Sequence, residues 1–421
     1  MWPLKPSPAQ LAVAALTAVA AVLVPAAGNA APAPPATSPY AQWKNGPPAA
    51  PDFFPLAVWL QDPRNAPKFK ALGINAYVGL WNGPTEGQLA ELQKCGMKLF
   101  CDLNDVGLKH LDDPTIIGWM HGDEPDNAQD IRHWKSVEQI HDAWPQAPAK
   151  TLAQWGGYGP PIPPKEIQAD YDRIRKADPS RPVMLNLGQG VAYDKYIGRG
   201  YRSGHLEDYP QYLKGSDIVS FDIYPVVHDR PEIAGKLWYV PQGVDRLVQW
   251  SEGRKVVWNC IECTHIGHPP AIASPAQIRT EVWMALIHGS RGLIYFVHEF
   301  KPEFIEAGLL AHEQQAQAVA AVNRQIGSLA AVLNAPTVDH GVEVKSSNDQ
   351  TPVAVMVKDA GGARYVFAVA MRDQETTATF KLPGRTGGQI EVLDENRTLP
   401  LKDGQFQDRF EGYEVHLYRV K

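Results

Sequence analysis

Apolar positions along the chain gather into eight short runs separated by amphipathic stretches. The runs are "FFPLAVWL" (53–60), "INAYVGLW" (74–81), "MKLFCDL" (97–103), "TIIGWMHGDE" (115–124), "PVMLNLG" (182–188), "DIVSFDIYP" (217–225), "KVVWNCIE" (255–262) and "GLIYFVHEF" (292–300). They are nearly continuous rather than alternating, as expected of strands covered on both faces. The stretches between them, such as "TEGQLAELQKCG", "PPKEIQADYDRIRKADP" and "SPAQIRTEVWMALIHGS", carry helical spacing. Strand and helix alternating through about 250 residues predict an α/β fold, a (β/α)8 TIM barrel over 51–335. A doubly wound sheet would place a glycine-rich phosphate loop after its first strand, and "VWLQDPRNAP" is not one. Residues 312–335 read as a late helix on the barrel wall. From 336 to 421 the pattern turns to alternation broken by Gly and Asp turns, which predicts a small antiparallel β-sandwich domain.

The N-terminus breaks this rhythm. Lys5, the apolar "LAVAALTAVAAVLV" (11–24) and the small-residue "PAAGNA" (25–30) predict a cleaved signal peptide over 1–30. The apolar run falls short of the ~20 residues of a membrane span. A secreted or periplasmic protein is expected, with no stable membrane insertion after cleavage. Residues 31–50 read as a Pro/Ala-rich linker or an irregular wrap.

Composition adds little. With 44% apolar and 20% charged residues the chain is an ordinary globular protein. A net charge of -6 and the lack of any basic block argue against a nucleic-acid partner. Four cysteines, in two sequence-local pairs, are too few to staple 421 residues. Nothing in the pattern sets the oligomeric state.

The C-terminal ends of barrel strands build the active face. The polar residues there are Asp102, Asn104, His121, Asp123, Glu124, Asn186, Gln189, Asp222, Tyr224, Asn259, Glu262, His298 and Glu299. Glu124 ends the fourth run and Glu262 the seventh. Two carboxyl groups ~5–5.5 Å apart can hydrolyse a glycoside with retention, one protonated and one ionised. Aromatic residues suit the apolar faces of sugar rings. Trp81 stands at a strand end, and Trp155 and Tyr158 lie in the Gly/Pro loop "AQWGGYGPPIPP" (153–164). The insertion at 187–216, rich in Gly and Tyr, is expected to shape the cleft.

On these motifs, residues 51–325 resemble the retaining (β/α)8 glycoside hydrolases of the cellulase and β-galactosidase clan. The resemblance implies Glu124 as acid/base, with Asp123 where the clan usually has Asn. It implies Glu262 as nucleophile, Tyr224 as its hydrogen-bond partner, and an aromatic platform near Tyr295, Phe296 and His298. An ionised Asp123 can only accept hydrogen bonds where Asn would also donate. No cofactor is implied, and the expected partner is a carbohydrate. His121, Asn186, His298 and Asp102 are expected to touch substrate or tune the carboxylates, and no catalytic metal is expected despite the loosely ligand-like "HIGH" (265–268).

Plainer accounts exist for each residue. Glu124 and Asp123 could cap a helix opened by Pro125. Glu262 could form a salt bridge, Tyr224 could pack on Pro225, and Asp222 could be a buried hydrogen-bond partner. The chain could also bind carbohydrate without cleaving it, or use the same pair for inversion or transglycosylation.

Overall fold

The computed structural model describes residues 38–147 and 157–421. The segment 1–30, residues 31–37 and Trp155 lie outside the described residues.

Strands β1 (Leu56–Trp59), β2 (Ala76–Val78), β3 (Lys98–Cys101), β4 (Ile116–Met120), β5 (Val183–Leu187), β6 (Ile218–Phe221), β7 (Val256–Val257), β8 (Asn259–Glu262) and β9 (Leu293–Phe296) form one parallel sheet, in which β1 pairs with both β2 and β9. The seventh barrel strand is split at Trp258: β7 pairs with β6 and β8 with β9. The result is the expected eight-stranded barrel, broken at one position that its apolar pattern does not reveal.

Alternate residues divide between two cores. Ala57, Val78, Phe100, Ile117, Met184, Cys260 and Ile294 fill the barrel. Val58, Tyr77, Leu99, Leu185, Val219, Ile261 and Tyr295 face the surrounding helices. The inner core is tight. A Cβ on Gly118 would stand 2.0 Å from the Phe100 ring, where the β3–β4 register slips. Trp258 meets Phe100 edge-on at 5.2 Å.

Residues 38–50 pack across the N-terminal end of the strands rather than hanging as a tether. The Tyr40 hydroxyl donates to the Arg291 carbonyl (2.7 Å) and accepts from the Trp258 indole (2.9 Å). Asn45 donates to the Ser180 hydroxyl (2.9 Å). Tyr40 and Trp43 belong to the inner core.

Eight further strands follow the long helix Glu313–Leu333: β10 (Glu343–Ser346), β11 (Val353–Ala360), β12 (Ala363–Ala370), β13 (Thr376–Lys381), β14 (Gly387–Val392), β15 (Arg397–Lys402), β16 (Gln405–Phe410) and β17 (Val415–Val420). They are antiparallel in the order β10-β13-β16-β15-β14-β17-β12-β11. β15 and β16 pair at a single position, Lys402 with Gln405, and there the sheet folds over itself. Phe380 and Phe406 on one leaf then pack against Tyr418 on the other, at 5.3 and 5.0 Å. This is the expected sandwich. It braces the helix Pro275–Ile287 after the seventh strand: Trp283 stacks on Phe367 at 5.2 Å, and Thr280 donates to the Tyr413 carbonyl at 2.7 Å.

Candidate active site

A cleft of about 760 Å³ opens above the C-terminal ends of β4 and β5, lined by Asp123, Glu124, Asn127, Gln129, Tyr158, Tyr196, Ile197 and Tyr201 among others. Two loops make it, one after β4 and one the insertion after β5.

No helix begins at Asp123 or Glu124, so helix capping does not explain them. The chain leaves β4 into an irregular turn, and Glu124 adopts φ 42°, the left-handed region. A non-glycine residue there costs about 1–3 kcal/mol and persists only where its surroundings hold it. Here the Asn127 amide N–H donates to the Glu124 carbonyl at 3.0 Å, and Gln129 donates to it at 3.3 Å. Asp126, the third acid of the turn, is the anchor. It is fully buried and accepts from the Gly188 amide (2.9 Å) and the Tyr209 hydroxyl (3.1 Å). Arg199, buried beside it, donates to its carbonyl and pairs with Asp208 at 2.8 Å. The two cleft loops are thereby fixed to one another.

Above this anchor three more acids crowd together. Asn186 Nδ2 donates to Asp123 Oδ1 and to Asp222 Oδ1, each at 2.9 Å. Its own Oδ1 accepts from Ser220 at 2.7 Å, which fixes the amide's orientation. Tyr224 donates to Asp222 Oδ2 at 3.0 Å. Asn127 donates to Glu124 Oε2 at 2.8 Å. Burial, then the charges of Asp222, Asp123 and Asp126, push the Glu124 carboxyl well above the usual carboxylate range. Packing on the inner side of Asp123 and the charge of Asp222 carry Asp123 up to about 7, although its outer edge meets solvent. Burial also raises Asp222, but donors from Asn186, Cys260 and Tyr224 oppose it. Both carboxyls are raised by burial, Glu124 well above the usual range, while three side-chain donors oppose the rise at Asp222, so the environments favour the proton on Glu124 over Asp222.

Glu262 is placed differently from expectation. It is fully buried, and its two oxygens accept from the backbone amides of Val226 (2.6 Å) and Val227 (3.0 Å). Its acidic neighbour is Glu281, on the helix after the seventh strand, and burial raises both carboxyls, Glu262 to about 7. It does not line the cleft, and the charges that act on Glu124 are those of the β4 turn and Asp222. Accordingly Tyr224 bonds Asp222 rather than Glu262. Strand alternation indicated which face Glu262 shares with Cys260, but not that the loop after β6 would fold its amides onto the carboxylate.

The remaining expected residues divide. Asn186 and Tyr158 join the site, Tyr158 as a half-exposed cleft wall. His121 does not: it is buried, with its ring nitrogens bonded to Asp170 (3.0 Å) and the Gly215 carbonyl (2.8 Å). Asp102 is exposed at the end of β3, outside the cleft lining, its carboxyl raised by surrounding protein and by Asp170. His298 is buried beneath Trp81, donates to the Leu60 carbonyl (3.1 Å), and is pushed down to about 4 by burial, hence neutral. Trp81 stands exposed with its indole bonded to Glu306 at 2.7 Å, also apart from this cleft. Tyr196 and Tyr201 were not singled out beforehand; the insertion's Gly and Tyr content was the available signal.

No family model matches the chain, and no curated protein does. Among solved structures, the GH42 β-galactosidase Gan42B from G. stearothermophilus superposes with a TM-score of 0.52 at 10% identity, covering 88% of this chain and 98% of that one. An α-amylase from Geobacillus thermoleovorans complexed with acarbose gives 0.49 at 10% identity, covering 88% of this chain and 98% of that one. AmyP in complex with maltose gives 0.49 at 10% identity, covering 88% and 97%. The likeness to Gan42B shows the fold alone.

Proposed function

We propose that the protein is a secreted glycoside hydrolase in which Glu124 is the acid/base and Asp222 the ionised carboxylate. One observation carries this reading: a carboxyl that burial and neighbouring acids push well above the usual range, in an open, tyrosine-lined cleft, beside a second carboxyl that accepts hydrogen bonds from Asn186 and Tyr224. Glu124 gives its proton to the glycosidic oxygen as the bond to the anomeric carbon breaks. Asp222 attacks that carbon, and a glycosyl-enzyme forms. Glu124, now ionised, takes a proton from water as the water displaces Asp222. The sugar leaves with its configuration retained. Asp123 and Asp126 keep the resting proton on Glu124 by their charge.

A β-linked oligo- or polysaccharide is the proposed substrate, by analogy with the β-galactosidase whose fold the chain shares. Secretion rests on residues 1–30 alone. No described helix is long and apolar enough to cross a membrane.

The test is a glycan screen with proton NMR of the first product released, E124Q run beside the wild type. Hydrolysis by the wild type, lost in E124Q, with the product first appearing in the substrate's own anomeric form, is expected. The opposite anomer would overturn retention and leave hydrolysis standing.

A second reading, carbohydrate binding without cleavage, draws on one observation: the strand-seven glutamate expected to be the nucleophile is sealed in the wall. Glycan binding with no product from any glycan screened would favour it.

A further inference from the structure

Beyond the cleft, the loops after the seventh and eighth barrel strands bring together a second set of chemically capable side chains. His265 follows β8, Glu299 follows β9, and His312 immediately precedes the helix Glu313–Leu333. One ligand atom from each lies within 4.8 Å of the other two. Glu299 is buried at 4% exposure, and His312 Nε2 lies 2.5 Å from its Oε1. The His265 and His312 rings stand 5.1 Å apart, nearly perpendicular at 78°.

Three features set this group apart from a chance ion pair. His265 Nδ1 donates to the Ala271 carbonyl at 2.9 Å, which fixes the tautomer and leaves a lone pair on Nε2. Metal-ligating histidines are oriented in this way by a second partner. A Cβ on Gly308 would stand 2.7 Å from Glu299 Cγ, so the backbone there closes directly over the carboxylate's stem. Ile266, beside His265, is a β-branched residue at φ 51°, a conformation such residues rarely adopt. The surrounding backbone is tied as well: Phe300 N–H donates to Ile266 (2.6 Å), and Glu299 and Ile305 exchange bonds at 2.9 Å.

We infer that His265, Glu299 and His312 form a binding site for one divalent transition-metal ion, of which Zn²⁺ fits the donors best. Two imidazole nitrogens and one carboxylate oxygen are a zinc donor set, with a fourth position left for water. Ca²⁺ and Mg²⁺ take oxygen ligands, in larger number or with several waters. On binding, the Glu299–His312 contact opens, because two atoms each ~2.0–2.1 Å from a tetrahedral ion stand roughly 3.3 Å apart. The ion would staple the two loops to the start of the long helix. None of its three residues lines the cleft or bonds Glu124 or Asp222, so hydrolysis and metal binding can fail independently.

The test is calorimetric titration of the full chain, untagged and chelator-treated, with ZnCl₂ and separately MgCl₂. One Zn²⁺ per chain and no Mg²⁺ heat are expected. H265A and H312A should each weaken zinc by about a hundredfold or more through loss of a ligand, and H268A, on the same loop, should bind as the wild type does. Circular dichroism confirms that each variant is folded, and H265Q replaces H265A if the latter is not. Absence of zinc binding, or binding undiminished in folded H265 and H312 variants, overturns the inference.

Discussion

Asp123 and Asp222 share the side-chain amide of Asn186, whose Nδ2 lies 2.9 Å from an oxygen of each. The two oxygens are thus no further apart than twice 2.9 Å. Two like charges so close cannot both ionise freely, and the field they create falls on Glu124. One neutral amide thereby opposes the rise that burial imposes on both aspartates.

Removing that amide should weaken catalysis through the carboxylates. In Asn186→Ala both aspartates lose a donor that lowers their pKa. The rising limb of the pH–rate profile should move to higher pH, and kcat should fall about 10²- to 10³-fold, as for other positioned donors. Steady-state kinetics across pH on a folded variant decide this.

The falling limb belongs to Glu124, which must be protonated to act. Asp123 is among the charges that raise it. D123N deletes that charge, so Glu124 releases its proton at lower pH and the falling limb should shift downward. A falling limb left in place would mean that another group sets it.

Much of this arrangement was legible in the chain. Strands buried on both faces give continuous apolar runs, so the barrel could be counted. Glu124 ends such a run, which placed it at the active face. The partner was not legible. Asp222 and Glu262 both follow apolar runs, and nothing in those runs says that the loop after β6 lays the amides of Val226 and Val227 on Glu262 while Asp222 meets Asn186. Likewise a histidine at a strand end can turn to solvent or into the helices, and His121 finds Asp170 there.

Tyr158 and Tyr196 wall the cleft without touching the acid wall through a hydrogen bond of their own to Glu124 or Asp222. Replacing either by Ala should raise KM roughly five- to tenfold, since an aromatic contact contributes about 0.5–1.5 kcal/mol beyond burial. kcat should change less than KM does.

The buried pair Glu262 and Glu281 makes a stability prediction. Both carboxyls are raised by burial, Glu262 to about 7. A raised carboxyl favours the folded state while it holds its proton. That contribution is complete below the unfolded carboxylate pKa and is lost as pH rises through the folded value. Tm should therefore fall between about pH 4.5 and 7 and beyond. E281Q keeps a hydrogen-bonding partner beside Glu262 without a second acid, and should flatten the decline. Scanning calorimetry across pH reads it out; an E281Q curve as steep as the wild type's would contradict the assignment.

The most direct measurement compares kcat of E124Q, D222N and E262Q on a glycan that the wild type hydrolyses, each variant first shown to be folded. The account predicts that E124Q and D222N each lose about 10²- to 10⁴-fold, the range of a lost acid–base group or more, while E262Q stays within roughly tenfold of the wild type. A folded E262Q as inactive as E124Q, beside a D222N that retains wild-type turnover, would contradict it.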